Sequence, residues 1–394
     1  MNEILYITFH SPFNADSGAN QRSNLLFRAL QQCGHVDLVC FTNEKLNDDD
    51  IDKNSFAIKF FGPVLNSTPN KNNFTKIIRS FFSTDSIISE NIFCSSKIKY
   101  FTSSKSYDYI VFRYLQSAFV CGIKKGANVI IDVDDLPEQS FLSLSNTPNI
   151  SYVRRLYYLL KSKIAKYFTI KTLSNVNHYF IPNKEQLYGS NSTYLPNIPF
   201  TYAKHNSNIN NLLDIQPCDK KAILFIGVLS WKPNILGINH FIENIFPIIQ
   251  KKDPNIMLNI VGKGLPEELV QKWSSHSNIN IKGFVENIEE EYNQVNIVIA
   301  PIYHGAGTNI KVLEAMSKGK IVVASRYATR GFEEFLVDGE NVFIANDDKD
   351  FAEKILNNIS NLKLCKSIGQ NAQHTINQHY SYREFAKKVK EVLI

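Results

Sequence analysis

Short apolar runs that stop at a glycine and then turn helical constrain this chain more than any other feature. They recur at 222–226 before Gly227, at 257–261 before Gly262, at 279–282 before Gly283, and at 297–301 before a loop holding Gly305 and Gly307. A run of four or five apolar residues followed by 3.6-residue periodicity is a strand feeding a helix. Repeated alternation of the two predicts a parallel α/β sheet. The most informative stretch is 299–325, IAPIYHGAGTNIKVLEAMSKGKIVVAS. A helix is expected over 309–318, closed by Gly319, with a further strand over 321–324. A glycine-rich turn at a helix start leaves backbone N–H groups free and aimed over the strand end, which is an anion site. Glu314 lies about one turn inside that helix, within reach of a sugar hydroxyl beside such an anion. Together these features describe a nucleotide-diphosphate pocket, and they are equally compatible with an ordinary strand–turn–helix crossover.

A length of 394 residues predicts two domains. The boundaries read as 1–200 and 201–380, with a terminal amphipathic helix over 381–394 packing back on the first. Apolar residues make up 44% and charged residues 20%, the balance of a soluble globular protein. No apolar run reaches the roughly eighteen residues that a membrane span needs. The opening MNEILYITFHSPF reads as a first strand rather than a signal peptide. The six cysteines (33, 40, 94, 121, 218 and 365) are scattered, with no C-x-x-C pair. Neither disulfides nor zinc is expected, and a reduced cytoplasmic compartment fits best.

In the first half, strands are expected at 4–9, 36–41, 109–112, 129–133, 178–182 and 192–196. A helix should open at Ser17 or Gly18 and run to about 33. The strand over 129–133 ends in a carboxylate cluster, Asp132, Asp134 and Asp135. Residues 43–105 are polar, with a helical patch at 74–82, and 200–218 reads as a linker. In the second half, helices are expected at 234–251 (interrupted by Pro247), 266–274 and 286–293. The fold class is therefore α/β: two Rossmann-like domains whose sheets face across a ligand cleft at their carboxyl ends.

The net charge of +6 is uneven. Residues 1–200 carry a balance of +5 and residues 201–394 a balance of +1. No acid lies between Gln139 and Lys184, a stretch holding Arg154, Arg155, Lys161, Lys163, Lys166 and Lys171. Among them stand Tyr152, Leu156, Tyr157, Tyr158, Leu159, Leu160, Ile164, Tyr167 and Phe168. A basic amphipathic helix with interfacial aromatics over 152–171 suits an anionic membrane surface. The competing reading is a helix packed by its apolar face with its lysines merely solvated. No zinc-finger spacing, RNP-like motif or recognition-helix pattern supports nucleic acid.

Lys232 and Lys311 are the cations best placed to neutralise a diphosphate. The order G-x-L-x-W-x-P-N from Gly227, I-V-G-x-G to Gly264, G-F-V-x-x-I-x-x-x-Y from Gly283 and A-P-x-x-x-G-A-G-T-x-I-K-x-L-E-A-M-S-x-G-K from Ala300 resembles the carboxyl half of family 4 retaining glycosyltransferases. The similarity is greatest to the branch found in bacterial surface-polysaccharide assembly. In the first half, SPFNADSGANQRSNLLFRALQQCGH, IIDVDDLPEQ and LPNIPF resemble the same branch. The resemblance implies a GT-B fold, a UDP- or GDP-linked sugar donor, no metal and no cofactor. It further implies a lipid-linked or glycan acceptor and a place at the inner membrane face.

Carried over by residue, Glu314 would bind the ribose hydroxyls. The N–H groups of Thr308, Asn309 and Ile310, after Gly307, would meet the diphosphate and sugar. Phe284 and Val285 would line the base, with Gly227 and Gly262 beneath the donor. Gly18 would lie under the phosphates from the amino-terminal side, and Asp132, Asp134 and Asp135 would face the cleft. Closure of the cleft would exclude water.

Two positions depart from the family pattern. The broader family carries a glutamate eight residues before Glu314, where this chain has Ala306. It also carries an arginine after the first glycine, where this chain has Val228. His304, Asn309 and Lys311 are then the candidates for holding the donor sugar. Two alternatives follow: a nucleotide-sugar 2-epimerase, disfavoured by the W-x-P-N segment, and a non-catalytic nucleotide-sugar-binding partner subunit. A dehydrogenase fits poorly, because no G-x-G-x-x-G follows the first strand.

Overall fold

The computed structural model describes residues 1–13, 17–41, 59–61, 105–115, 117–118, 128–147, 150–200, 217–305 and 307–394. The patch at 74–82, nearly all of the 200–218 linker, Cys94, Cys121 and Ala306 lie outside these residues. The chain divides into two compact units, Met1–Pro196 with Phe385–Ile394, and Asn197–Glu384.

The first unit is built on seven parallel strands: β1 (Asn2–Thr8), β2 (Gly34–Phe41), β3 (Lys59–Phe61), β4 (Tyr109–Arg113), β5 (Asn128–Asp132), β6 (His178–Ile181) and β7 (Ser192–Tyr194). Their order is β3-β2-β1-β4-β5-β6-β7. In β1, the four residues Ile4 to Ile7 are fully buried. That is the continuous apolar signature of a strand covered on both faces. Helix α1 (Gly18–Gln31) starts at Ser17, whose hydroxyl accepts from the Asn20 N–H at 3.3 Å. This side-chain cap satisfies one of the free N–H groups of the first turn.

Helices α2 (Pro137–Ser145) and α3 (Tyr152–Leu173) form a hairpin between β5 and β6. Its lock is the buried Glu138, which accepts from Tyr188 OH at 2.6 Å and Thr169 Oγ1 at 2.9 Å. Strand β7 stops at Tyr194, earlier than the apolar pattern implies. The carbonyls of Leu195 and Pro196 are taken by Arg22 at 3.1 and 3.2 Å.

The second unit is built on β8 (Ala222–Ile226), β9 (Met257–Val261), β10 (Ile279–Gly283), β11 (Ile297–Ala300), β12 (Ile321–Ser325) and β13 (Phe343–Ala345), in the order β10-β9-β8-β11-β12-β13. Its helices are α4 (Lys232–His240), α5 (Phe246–Lys252), α6 (Glu267–Ser274), α7 (Ile288–Asn293), α8 (Ile310–Ser317), α9 (Asp348–Asn358) and α10 (Leu362–His379). Pro247 does not interrupt the 234–251 helix by a break. A π-helical turn, Phe241–Ile245, joins α4 to α5, and the Phe246 N–H reaches back to Phe241 O. The wider turn accommodates a proline that lacks an N–H and crowds the preceding carbonyl. Last comes α11 (Tyr382–Leu393), whose Phe385, Val389 and Leu393 are buried. Among the described residues Cys33, Cys40, Cys218 and Cys365 are free thiols.

Candidate functional site

In the second unit β8 lies between β9 and β11. The direction of winding reverses there, and such a reversal opens a crevice at the carboxyl ends of the strands. The turns at this edge interlock. The Gly227 N–H donates to Val261 O at 3.0 Å. Gly262 has φ +152°, and a Cβ on it would stand 1.8 Å from Gly227 O. Only glycine allows that approach. A Cβ on Gly227 would lie 2.7 Å from Lys311 Nζ and 2.8 Å from Asn234 Nδ2. The absent side chain leaves room for a cation beneath the turn.

Lys311 comes from α8 and Asn234 from α4. Lys311 Nζ donates to Asn234 Oδ1 at 2.6 Å, and Asn234 Nδ2 donates to Val228 O at 2.8 Å. The buried asparagine thus ties the lysine to the turn after β8. The ammonium also lies 4.5 Å from the Phe225 ring centroid. Burial pushes the Lys311 pKa down to about 7, and the nearby Glu314 carboxylate opposes the shift. Burial raises the Glu314 pKa, while Lys311 and Lys318 lower it. An anion placed beside this ammonium would favour its charged form.

The start of α8 is uncapped by a side chain: Asn309, itself buried, makes no cap bond. Thr308 Oγ1 accepts from Asn197 Nδ2 at 2.8 Å. Of the three N–H groups expected to meet a diphosphate, that of Ile310 turns back to Thr308 O at 3.2 Å. His304, Gly307 and Val285 are half-buried, and burial lowers the His304 pKa. Lys232 opens α4 and is exposed. Phe284, 71% exposed, follows Gly283 as an open aromatic face.

In the first unit the winding reverses at β1, between β2 and β4. Asp132, expected to face a cleft, is instead fully buried, and this corrects the sequence expectation. Its carboxylate accepts from Arg22 Nε at 3.0 Å and Nη2 at 2.6 Å, and Arg113 Nη1 is 3.3 Å away. Two buried guanidiniums need a buried counter-charge, so Asp132 is a structural anchor. Asp134 is mostly buried and accepts from Arg113 Nη2 at 2.7 Å and Tyr114 OH at 3.2 Å. Asp135 is exposed, and Gly18 opens α1 at the surface. Tyr114 has φ 71°, the one positive-φ non-glycine among the described residues. Its ring lies 5.1 Å from His10 and 3.8 Å from the Arg113 guanidinium.

The sequence reading missed Asn234, Arg22, Arg113 and Tyr114. Asn234 stood inside the W-x-P-N motif but had no chemistry until Lys311 was seen against it. The arginines were invisible because a lone arginine on a helix or at a strand end reads as surface.

Residues 220–361 match the family model for glycosyl transferases group 1. An uncharacterized 44.6 kDa protein in the cps region of Klebsiella pneumoniae is 25% identical, covering 99% of this chain and all of that one. The fold is similar to a sucrose-phosphate synthase from Thermosynechococcus elongatus: TM-score 0.67, 14% identity, 99% of this chain and 98% of that one. It is also similar to an Anabaena protein solved with UDP-glucose: TM-score 0.61, 14% identity, 100% of this chain and 99% of that one. Residues 220–361 thus match the group 1 glycosyl transferase model, and the fold is GT-B.

Proposed function

We propose that the chain transfers a sugar, with retained anomeric configuration, from a UDP- or GDP-linked donor to a lipid-linked or polysaccharide acceptor in surface-glycan assembly. The carrying observation is the Lys311 ammonium held by Asn234 at the end of β8, with Glu314 on the same helix. Breaking the sugar–phosphate bond develops negative charge on the diphosphate and positive character on the sugar. Lys311, Lys232 and the N–H groups at the α8 start stabilise the first. Glu314 holds the ribose, and Phe284 and Val285 flank the base. The acceptor hydroxyl attacks on the leaving-group face as the sugar–phosphate bond breaks, and its proton passes to the departing phosphate oxygen. No metal or cofactor takes part in this scheme.

The protein works at an anionic membrane surface in this reading. Support comes from α3, which exposes Tyr152, Val153, Leu156, Leu160, Tyr167 and Ile170. Arg154, Arg155, Lys163, Lys166 and Lys171 are exposed on the same helix. The group 1 domain and the cps-region relative support transfer in polysaccharide assembly.

The test is incubation with UDP- and GDP-sugars and a membrane lipid extract, followed by assay of released nucleotide and glycosylated product. Both are expected in the wild type. Glu314→Ala removes a hydrogen bond to a charged group and is expected to weaken nucleotide binding about 10- to 100-fold. Tight donor binding without turnover on any acceptor would replace this reading with the partner subunit.

A further inference from the structure

The loop 302–309, Ile-Tyr-His-Gly-Ala-Gly-Thr-Asn, contains no acid. Its Gly305 carbonyl is instead held by two donors from a turn after β12. Tyr327 OH donates to it, and Arg330 Nη2 donates to it at 3.2 Å. The guanidinium carbon lies over the Tyr327 ring, 3.7 Å from its centroid. Arg330 is half-buried, and its Nε is buried without a hydrogen-bond partner. No ion pair among the described residues includes Arg330. Nearby, Glu333 Oε2 accepts from the Gly331 N–H at 2.7 Å. An unneutralised guanidinium with an orphaned donor requires a reason for being kept.

Another element reaches Gly305 as well. A Cβ built there would lie 3.4 Å from Trp231 Cη2 and 3.5 Å from Pro233 Cγ. The Trp231 side chain is 43% exposed. An open indole offers a flat apolar face on which the C–H face of a pyranose stacks. A guanidinium offers a planar fork that matches a carboxylate.

We propose that Trp231, Tyr327 and Arg330 form a donor-sugar subsite around Gly305, selective for a hexose that carries a carboxylate. This rests on the nucleotide-sugar reading of Lys311 and Glu314. The sugar of such a donor is bonded to the phosphate at the α8 start and must lie near the loop that feeds that helix. Arg330 supplies the charge complement, and Trp231 supplies the stacking face for any hexose.

The experiment is titration calorimetry on the full chain with UDP, UDP-glucose, UDP-glucuronate, GDP, GDP-mannose and GDP-mannuronate. For whichever base binds, the uronate donor is expected to bind about tenfold or more tightly than its neutral counterpart. Arg330→Gln is expected to bring that ratio close to one, and Arg330→Lys to keep part of it. Trp231→Ala is expected to weaken acidic and neutral donors alike relative to the bare nucleotide. Thermal melts check that each variant is folded. Equal affinities for acidic and neutral donors in the wild type would overturn the subsite while leaving the donor reading intact. So would an Arg330→Gln variant that weakens every ligand equally, the mark of a purely structural residue. Absence of binding by all six compounds would overturn both.

Discussion

At the residue scale, two ionisable groups set clear expectations. The Lys311 pKa of about 7 lies below the ordinary lysine value of 10.5. Between those values the unfolded chain binds more protons than the folded one. The contribution of Lys311 to stability therefore rises with pH across that window and is lowest below 7. A bound diphosphate favours the ammonium, so binding takes up a proton there. Affinity for an intact nucleotide-diphosphate sugar should fall as pH rises through 7, by up to about tenfold per unit for one linked proton. Lys311→Met should flatten that slope, and calorimetry in buffers of different ionisation enthalpy reads the uptake. In the first unit, Asp132→Ala would remove the buried carboxylate that Arg22 and Arg113 share, leaving Arg113 with Asp134. A loss of about 3–5 kcal/mol in urea unfolding is expected. A loss under about 1 kcal/mol would mean that the pairs contribute little. None of this partnering was legible in sequence: Lys311 and Asn234 are 77 residues apart, and Arg22 and Asp132 are 110 apart.

At the scale of elements, the sequence was most legible where periodicity was strong. The strands before Gly227, Gly262 and Gly283 and the helix after Asn309 appear within a residue or two of where the apolar pattern placed them. Pro247 was misread because a π turn is a tertiary remedy with no local signature. Helix α3 was read correctly as basic and amphipathic, with one exception. Lys161 is buried, its ammonium 4.9 Å from the Phe141 ring and 5.3 Å from the Tyr157 ring, so it belongs to the packed face with Ala165 and Thr169. The exposed face carries the membrane prediction. Vesicles rich in anionic lipid should sediment the protein and neutral vesicles should not, with binding falling as salt rises. Leu156→Glu combined with Leu160→Glu should release it while leaving circular dichroism unchanged, since both residues lie on the exposed face of α3. Equal binding to neutral vesicles would remove the electrostatic argument.

For the whole molecule, the last ten residues belong to the core of the first unit. Phe385, Val389 and Leu393 are buried, Arg22 lies 5.7 Å from the Phe385 ring centroid, and Lys388 Nζ donates to Tyr194 O at 3.2 Å. Each buried side chain of this kind contributes about 1.5–3 kcal/mol. A chain ending at 384 should therefore lose protection in Met1–Pro196 by hydrogen exchange, while Asn197–Glu384 keeps its own. Equal loss in both units would contradict that assignment. The sequence by itself determined the alternation of strand and helix, the glycines at strand ends, and the presence of Lys311 and Glu314 on one helix. These follow from local periodicity and backbone sterics, which act over a few residues. Only the tertiary structure decided which charges meet: Lys311 with Asn234 under Gly227, Asp132 between two arginines, and Arg330 beside Gly305. Burial makes those encounters matter, and burial is a property of the packed chain.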